Sequence, residues 1–196
     1  MSEFIATTER LFIRKIEDGD QDLVYALSQE SSLLSSFPKE DEYAELYRKV
    51  CWDETNSPNT YNGMIFVKDS GEFVGKVCMQ YTDRELPELG IDITKVSQNR
   101  GYGPEAIVAF CNWYSAVYGL RVVKVRISKE NAHSMHVFEK LGAEYDKATT
   151  YLSKDALNAL REKLPDADLS VLSQNSVRDY LLQIPISGGE QDDKIS

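Results

Sequence analysis

Apolar and polar residues alternate along residues 10–15 (RLFIRK), where Leu11 and Ile13 stand between polar neighbours, and that period of two predicts a first strand. Asp20 is placed to cap a helix running to about Glu30, with Leu23 and Leu27 on its apolar side. Residues 31–40 (SSLLSSFPKE) read as a turn-rich break, and a second helix follows over about 40–50. A loop dense in turn formers, 56–63 (NSPNTYNG), leads to strands at 64–68 and 73–81, joined by a hairpin link at Asp69-Ser70-Gly71. A fourth strand fits 86–94, with Pro87 near its start, where a missing donor is tolerated or marks a bulge.

Residues 105–118 then carry a broad apolar helical face (Ile107, Phe110, Cys111, Tyr114, Val117) stopped by Gly119. Residues 122–127 (VVKVRI) read as a buried strand, 131–141 as a helix ended by Gly142, and 143–152 as a sixth strand. An amphipathic helix over 153–164 ends at Pro165, and 178–186 (RDYLLQIPI) supplies a seventh strand. These elements predict one α+β domain over residues 1–186 around a mixed sheet, with a helical insertion at about 153–177. The tail at 187–196 has no apolar pattern and is expected to be disordered.

Composition narrows the function classes. The 196 residues are 42% hydrophobic and 28% charged, as in soluble globular proteins, and neither a secretory leader nor a membrane-length apolar run is apparent, so a cytoplasmic location is expected. A net charge of −10 disfavours nucleic acid as a partner and would suit a cationic one. Cys51, Cys78 and Cys111 form no CxxC pair and read as packing residues, and only two histidines, His133 and His136, are present, so no metal site is expected.

The chemically informative stretch is residues 98–105 (QNRGYGPE), between a strand and a long helix. Glycines at 101 and 103 permit positive φ and close backbone approach, and the amides opening the helix suit a diphosphate. Pro104 fits a first-turn position, and Arg100 can add a side-chain contact. Neither GK[ST] nor an early GxGxxG is present, which excludes the nucleotide P-loop and dinucleotide fingerprints.

At this point the chain resembles the GNAT superfamily of acyl-CoA-dependent N-acetyltransferases. Gln98, Gly101 and Gly103 fit its [QR]xxGx[GA] hallmark, and Pro104-Glu105-Ala106 looks like the helix opening of the ribosomal-protein N-terminal acetyltransferase branch. Asn131-Ala132-His133-Ser134 and Phe138-Glu139-Lys140-Leu141-Gly142 fit a second block in the right order. The resemblance implies a mostly antiparallel seven-stranded sheet splayed between its fourth and fifth strands, with acetyl-CoA as donor cosubstrate. Its pyrophosphate would meet Gln98, Asn99, Arg100, Gly101, Tyr102, Gly103, Pro104 and Glu105. Pantetheine would pair with the backbone of residues 89–94 (Leu89, Ile91 and Ile93 among them) and meet Asn131 and Ser134, and an amine would attack the thioester directly.

Glu88 and Asp92, four apart on the fourth strand, are the candidate proton acceptors, with Glu88 favoured because many relatives carry an acid there. Many relatives protonate the departing thiolate with a tyrosine where this chain has Phe138, which has no hydroxyl. Ser134 and Tyr145 are the alternative donors, whereas His136 is assigned to another helix face. The resemblance places the acceptor, a small-molecule amine or a protein N-terminus, beside Phe37, Tyr43, Tyr47 and Trp52 and near Glu40, Asp41, Glu42 and Glu45. The inserted helix offers a stripe for a homodimer contact. Phe138 also leaves a second reading open, a catalytically degenerate acyl-CoA-binding regulatory module.

Overall fold

The computed structural model describes residues 3–30, 41–150, 157–158, 161–162 and 176–187, the side chains of 41–43 excepted. The strands are β1 (Phe4–Thr7), β2 (Leu11–Lys15), β3 (Thr60–Val67), β4 (Phe73–Gln80), β5 (Glu88–Ile93), β6 (Val122–Ser128), β7 (Glu144–Thr149) and β8 (Val177–Gln183). The helices are α1 (Gln21–Glu30), α2 (Asp41–Thr55), α3 (Tyr102–Tyr118) and α4 (Ala132–Lys140). The strands form one sheet in the order β1-β2-β3-β4-β5-β6-β8-β7.

Eight strands replace the expected seven because residues 4–7 pair with β2 through a register shift between Phe4 and Ala6. A four-residue edge strand with one inward side chain, Ile5, is too short to show a period of two. The loop expected at 56–63 also yields four residues to β3. There Asn62 is buried and donates to the Thr55 carbonyl at 2.6 Å. A Cβ on Gly63 would come within 2.7 Å of Ile13, so these turn-forming residues serve packing. Of the expected inserted helix, residues 157–158 and 161–162 are helical and Leu157 is buried, while the rest of 153–164 and the tail beyond 187 lie outside the described residues.

The helices cover opposite faces. On one, Ile107, Phe110 and Cys111 of α3 and Phe138 of α4 pack on Leu11, Ile13, Ile65, Val77, Val125 and Tyr180. Several of these side chains are fully inaccessible, and burying each contributes about 1.5–3 kcal/mol. On the other face, Val24 and Leu23 of α1 and Trp52 of α2 meet Met64, Phe66 and Phe12. All neighbouring strands are antiparallel except β5 and β6, which are parallel and pair only at Glu88–Lys124 and Leu89–Val125. Beyond Leu89, β5 stays with β4 as far as Ile93 while β6 stays with β8 as far as Ser128. The sheet therefore splits, leaving one backbone edge of β5 open.

Candidate active site

The split leads to the glycine-containing turn. After β5 a short turn (Lys95–Ser97) reverses the chain, and the Gln98 side-chain amide donates to the Ile93 carbonyl at 3.1 Å. Asn99 (φ 60°) and Gly101 (φ 76°) are both left-handed, and α3 starts at Tyr102 without a side-chain cap on its free amides. Gly103 departs from expectation: it lies inside the helix with ordinary φ, and its value is space. Among the described residues a Cβ there would meet only Ile93, at 3.8 Å.

That space belongs to a cleft of about 840 Å³ between β5, α3 and α4. Of the expected donor-binding residues, Ile91, Ile93, Gln98, Asn99, Gly101, Tyr102, Gly103, Pro104, Asn131 and Ser134 line it. Leu89 stands inside the closed part of the sheet, and neither Arg100 nor Glu105 reaches the cleft wall. Asn131 caps α4, its Oδ1 accepting from the Ser134 amide at 3.0 Å, which leaves its NH₂ group for a ligand. Phe138, 2% exposed, closes the apolar inner wall, so an aromatic ring fills the position where a hydroxyl was sought. His136, assigned from sequence to another helix face, lines the same cleft together with His133. Tyr145 does not; its ring stands edge-on to Tyr180 and is largely exposed.

Sequence reasoning missed Ser97 altogether. Its hydroxyl is buried behind the cleft wall and has no hydrogen-bond partner among the described residues. It missed Arg10 as well. Glu105 turns away from the cleft and accepts from Arg10 Nε at 2.7 Å, from the Arg10 amide at 3.2 Å and from the Thr8 hydroxyl. Burial would raise the Glu105 carboxyl, but those hydrogen bonds and the Arg10 charge outweigh it and hold the group below its usual range.

Alternation along β5 sends Glu88 and Asp92 to the opposite face of the sheet, and no bulge at Pro87 disturbs their parity. Their surroundings differ. Glu88 is buried and takes Lys124 Nζ at 2.7 Å, with Arg84 and Arg126 at 3.8 and 3.9 Å. Arg126 also pairs with the buried Asp179 at 3.3 Å. Asp92 is exposed and helps line a pocket of about 130 Å³ with Lys76, Glu54, Ser28 and Cys51, beneath α1 and α2. Trp52 belongs to the core on this face and Tyr47 stands edge-on to Tyr25, while Phe37 and Glu40, with the side chains of Asp41, Glu42 and Tyr43, lie outside the described residues. Cys51, Cys78 and Cys111 are free buried thiols, and burial pushes Cys78 up and Cys111 up to about 12, so neither of those two is a ready nucleophile.

The family model for the acetyltransferase (GNAT) domain matches residues 10–144, from β2 into β7, and so takes in the split, the turn and α4. The chain belongs to the GNAT acetyltransferase family. It is accordingly an acyl-CoA-dependent acetyltransferase. It is 26% identical over 137 residues to the uncharacterised N-acetyltransferase YnaD of Bacillus subtilis, covering 69% of this chain and 80% of that protein. Among solved structures it is similar to the spermidine N-acetyltransferase of Vibrio cholerae in complex with CoA and spermine. The TM-score is 0.63 at 16% identity, over 90% of this chain and 96% of that one. An acetyltransferase from Agrobacterium tumefaciens is similar with a TM-score of 0.59 at 20% identity, over 89% and 91% of the two chains. Among the described residues of this GNAT acetyltransferase, no helix is long and apolar enough to cross a membrane.

Proposed function

We propose that this GNAT acetyltransferase moves an acetyl group from acetyl-CoA to the primary amine of a small molecule, with the pyrophosphate on the 98–104 turn and the thioester at the β5–β6 split. The observation that carries this reading is the continuity of one cleft from the uncapped start of α3 to the open edge of β5. The amides at residues 101–103 and the helix dipole hold the diphosphate, and the buried Ser97 hydroxyl adds a donor. The open edge of β5 beyond Leu89 pairs with the pantetheine amides, and Asn131 donates to the same arm.

The amine arrives from the α1–α2 face, where Glu54 and Asp92 give the small pocket its negative charge. Glu88, at the vertex of the split and paired with Lys124 at 2.7 Å, accepts the proton released on attack. Ser134, the cleft hydroxyl on α4, donates to the departing thiolate. The Vibrio cholerae relative is named for spermidine and bound spermine, which supports an amine acceptor of small size. The likeness to the ribosomal-protein branch rests on Pro104-Glu105-Ala106 alone, so a protein N-terminus is the second acceptor class to be tested.

Thiol release from acetyl-CoA with polyamines, other primary amines and N-terminal peptides measures both the activity and its acceptor. Turnover on a small amine is the expected result. Tight CoA binding without turnover on any of them would instead support the regulatory module that Phe138 suggests.

A further inference from the structure

We propose that Arg10 is a positioning residue for the acyl donor, bracing the pyrophosphate turn from behind and cancelling the Glu105 charge at the mouth of α3. The inference rests on the donor assignment made above. Arg10 immediately precedes β2, 90 and 95 residues before the groups it holds, and lies outside the glycine motif.

One guanidinium engages three consecutive parts of the turn. Its NH1 donates to the Arg100 carbonyl at 2.9 Å, its Cζ lies 4.8 Å from the centre of the Tyr102 ring, and its Nε donates to Glu105 at 2.7 Å. The Arg100 carbonyl is the informative contact, because Arg100 stands between Asn99 and Gly101, both left-handed. Asparagine and glycine both tolerate the left-handed region, so what a further contact determines is the orientation of the peptide between them. Arg10 supplies that determination, and the β1–β2 turn is itself fixed because Thr8 Oγ1 accepts from the Leu11 amide at 2.8 Å.

Charge supplies the second half. A carboxylate in the first turn of a helix suits the dipole, but it also lies within one helical turn of the amides that are to take a diphosphate. Left alone, Glu105 would repel that ligand well inside the screening length of physiological salt. The Arg10 fork turns it backward and neutralises it, so the dipole and free amides face the ligand unopposed.

The two halves are separable by a mutant cycle. CoA and pantetheine, which lacks the pyrophosphate, are titrated calorimetrically into wild type, Arg10→Gln, Arg10→Lys, Glu105→Gln and the double variant Arg10→Gln/Glu105→Gln, with thermal melts alongside. Arg10→Gln is expected to weaken CoA about tenfold, the scale of a charge-assisted contact, and to leave pantetheine within about twofold. The double variant is expected to regain about threefold over Arg10→Gln, because the uncompensated anion is gone. Arg10→Lys keeps the charge without the fork and should fall between, which also serves if Arg10→Gln folds poorly. CoA affinity of Arg10→Gln equal to wild type, equal losses for CoA and pantetheine, or a double variant no better than Arg10→Gln would each overturn the proposal. Wild type that fails to bind CoA would remove the donor assignment and this role together.

Discussion

Gly103→Val separates ligand binding from folding more cleanly than any other change in the turn. Gly103 is the second residue of α3, has ordinary helical φ, and would carry a Cβ whose nearest neighbour is Ile93 at 3.8 Å. Valine in a helix is a few tenths of a kcal/mol better than glycine in intrinsic propensity, so stability should stay within about 0.5 kcal/mol of wild type. The isopropyl group must then occupy cleft volume assigned to the diphosphate. Forcing two or three extra carbons into a filled site costs about 1–3 kcal/mol, which is about a 5- to 150-fold rise in Kd for CoA. Calorimetry with CoA and a thermal melt read the two quantities independently. Gly101→Val provides the contrast: φ of 76° and the Arg10 guanidinium at 3.2 Å from its Cβ make that change a folding defect of about 1–2 kcal/mol as well. Unchanged CoA affinity in a well-folded Gly103→Val protein would refute the placement of the pyrophosphate.

Other consequences concern the opposite face, the backbone at Gly75 and the buried carboxylates. Asp92→Asn should raise KM for the amine with little loss of stability, because Asp92 is exposed. Glu88→Gln should lower kcat and also destabilise by about 3 kcal/mol, since Lys124 loses its partner in a mostly buried site; a thermal melt and steady-state kinetics distinguish the two patterns. Gly75→Ala should cost about 3 kcal/mol or more, measurable as a fall in urea midpoint, because its Cβ would come within 2.1 Å of the Asp92 carbonyl at a φ of 157°. Acid should act through Glu105 and Asp20. Burial raises each carboxyl, but hydrogen bonds from Thr8 and Arg10 to Glu105, and from Arg14 and the Glu17 amide to Asp20, outweigh it and leave both below their ordinary values of 4.5 and 3.8. Folded-state values below unfolded ones mean stability that is fully present above about pH 4.5 and lost as pH falls through the folded values. Urea midpoints at pH 7 and 5 should therefore agree, with a drop only below about pH 4.5; a fall already between pH 7 and 5 would contradict the assignment.

The sequence by itself determined the order of the elements, the strand-to-helix turn at 98–104 and the second block at 131–142, because each is written in local terms. Period two marks β2, a left-handed glycine stops α3 at Gly119, and Asn131 caps α4 through a bond to an amide three residues away. Alternation also put Glu88 and Asp92 on one face, as found. What it could not supply was neighbours. Lys124 reaches Glu88 from β6, and Lys76 stands opposite Asp92 on β4, so two carboxylates four residues apart acquired different surroundings only when the sheet formed. β1 depends on an edge offered by β2, Leu89 is closed off by its pairing with Val125, and Glu105 is turned from the cleft by an arginine 95 residues away. Dihedral preference and periodicity act over a few residues and are legible in the chain, whereas ion pairs and strand edges depend on register and topology. Only the tertiary structure decided those.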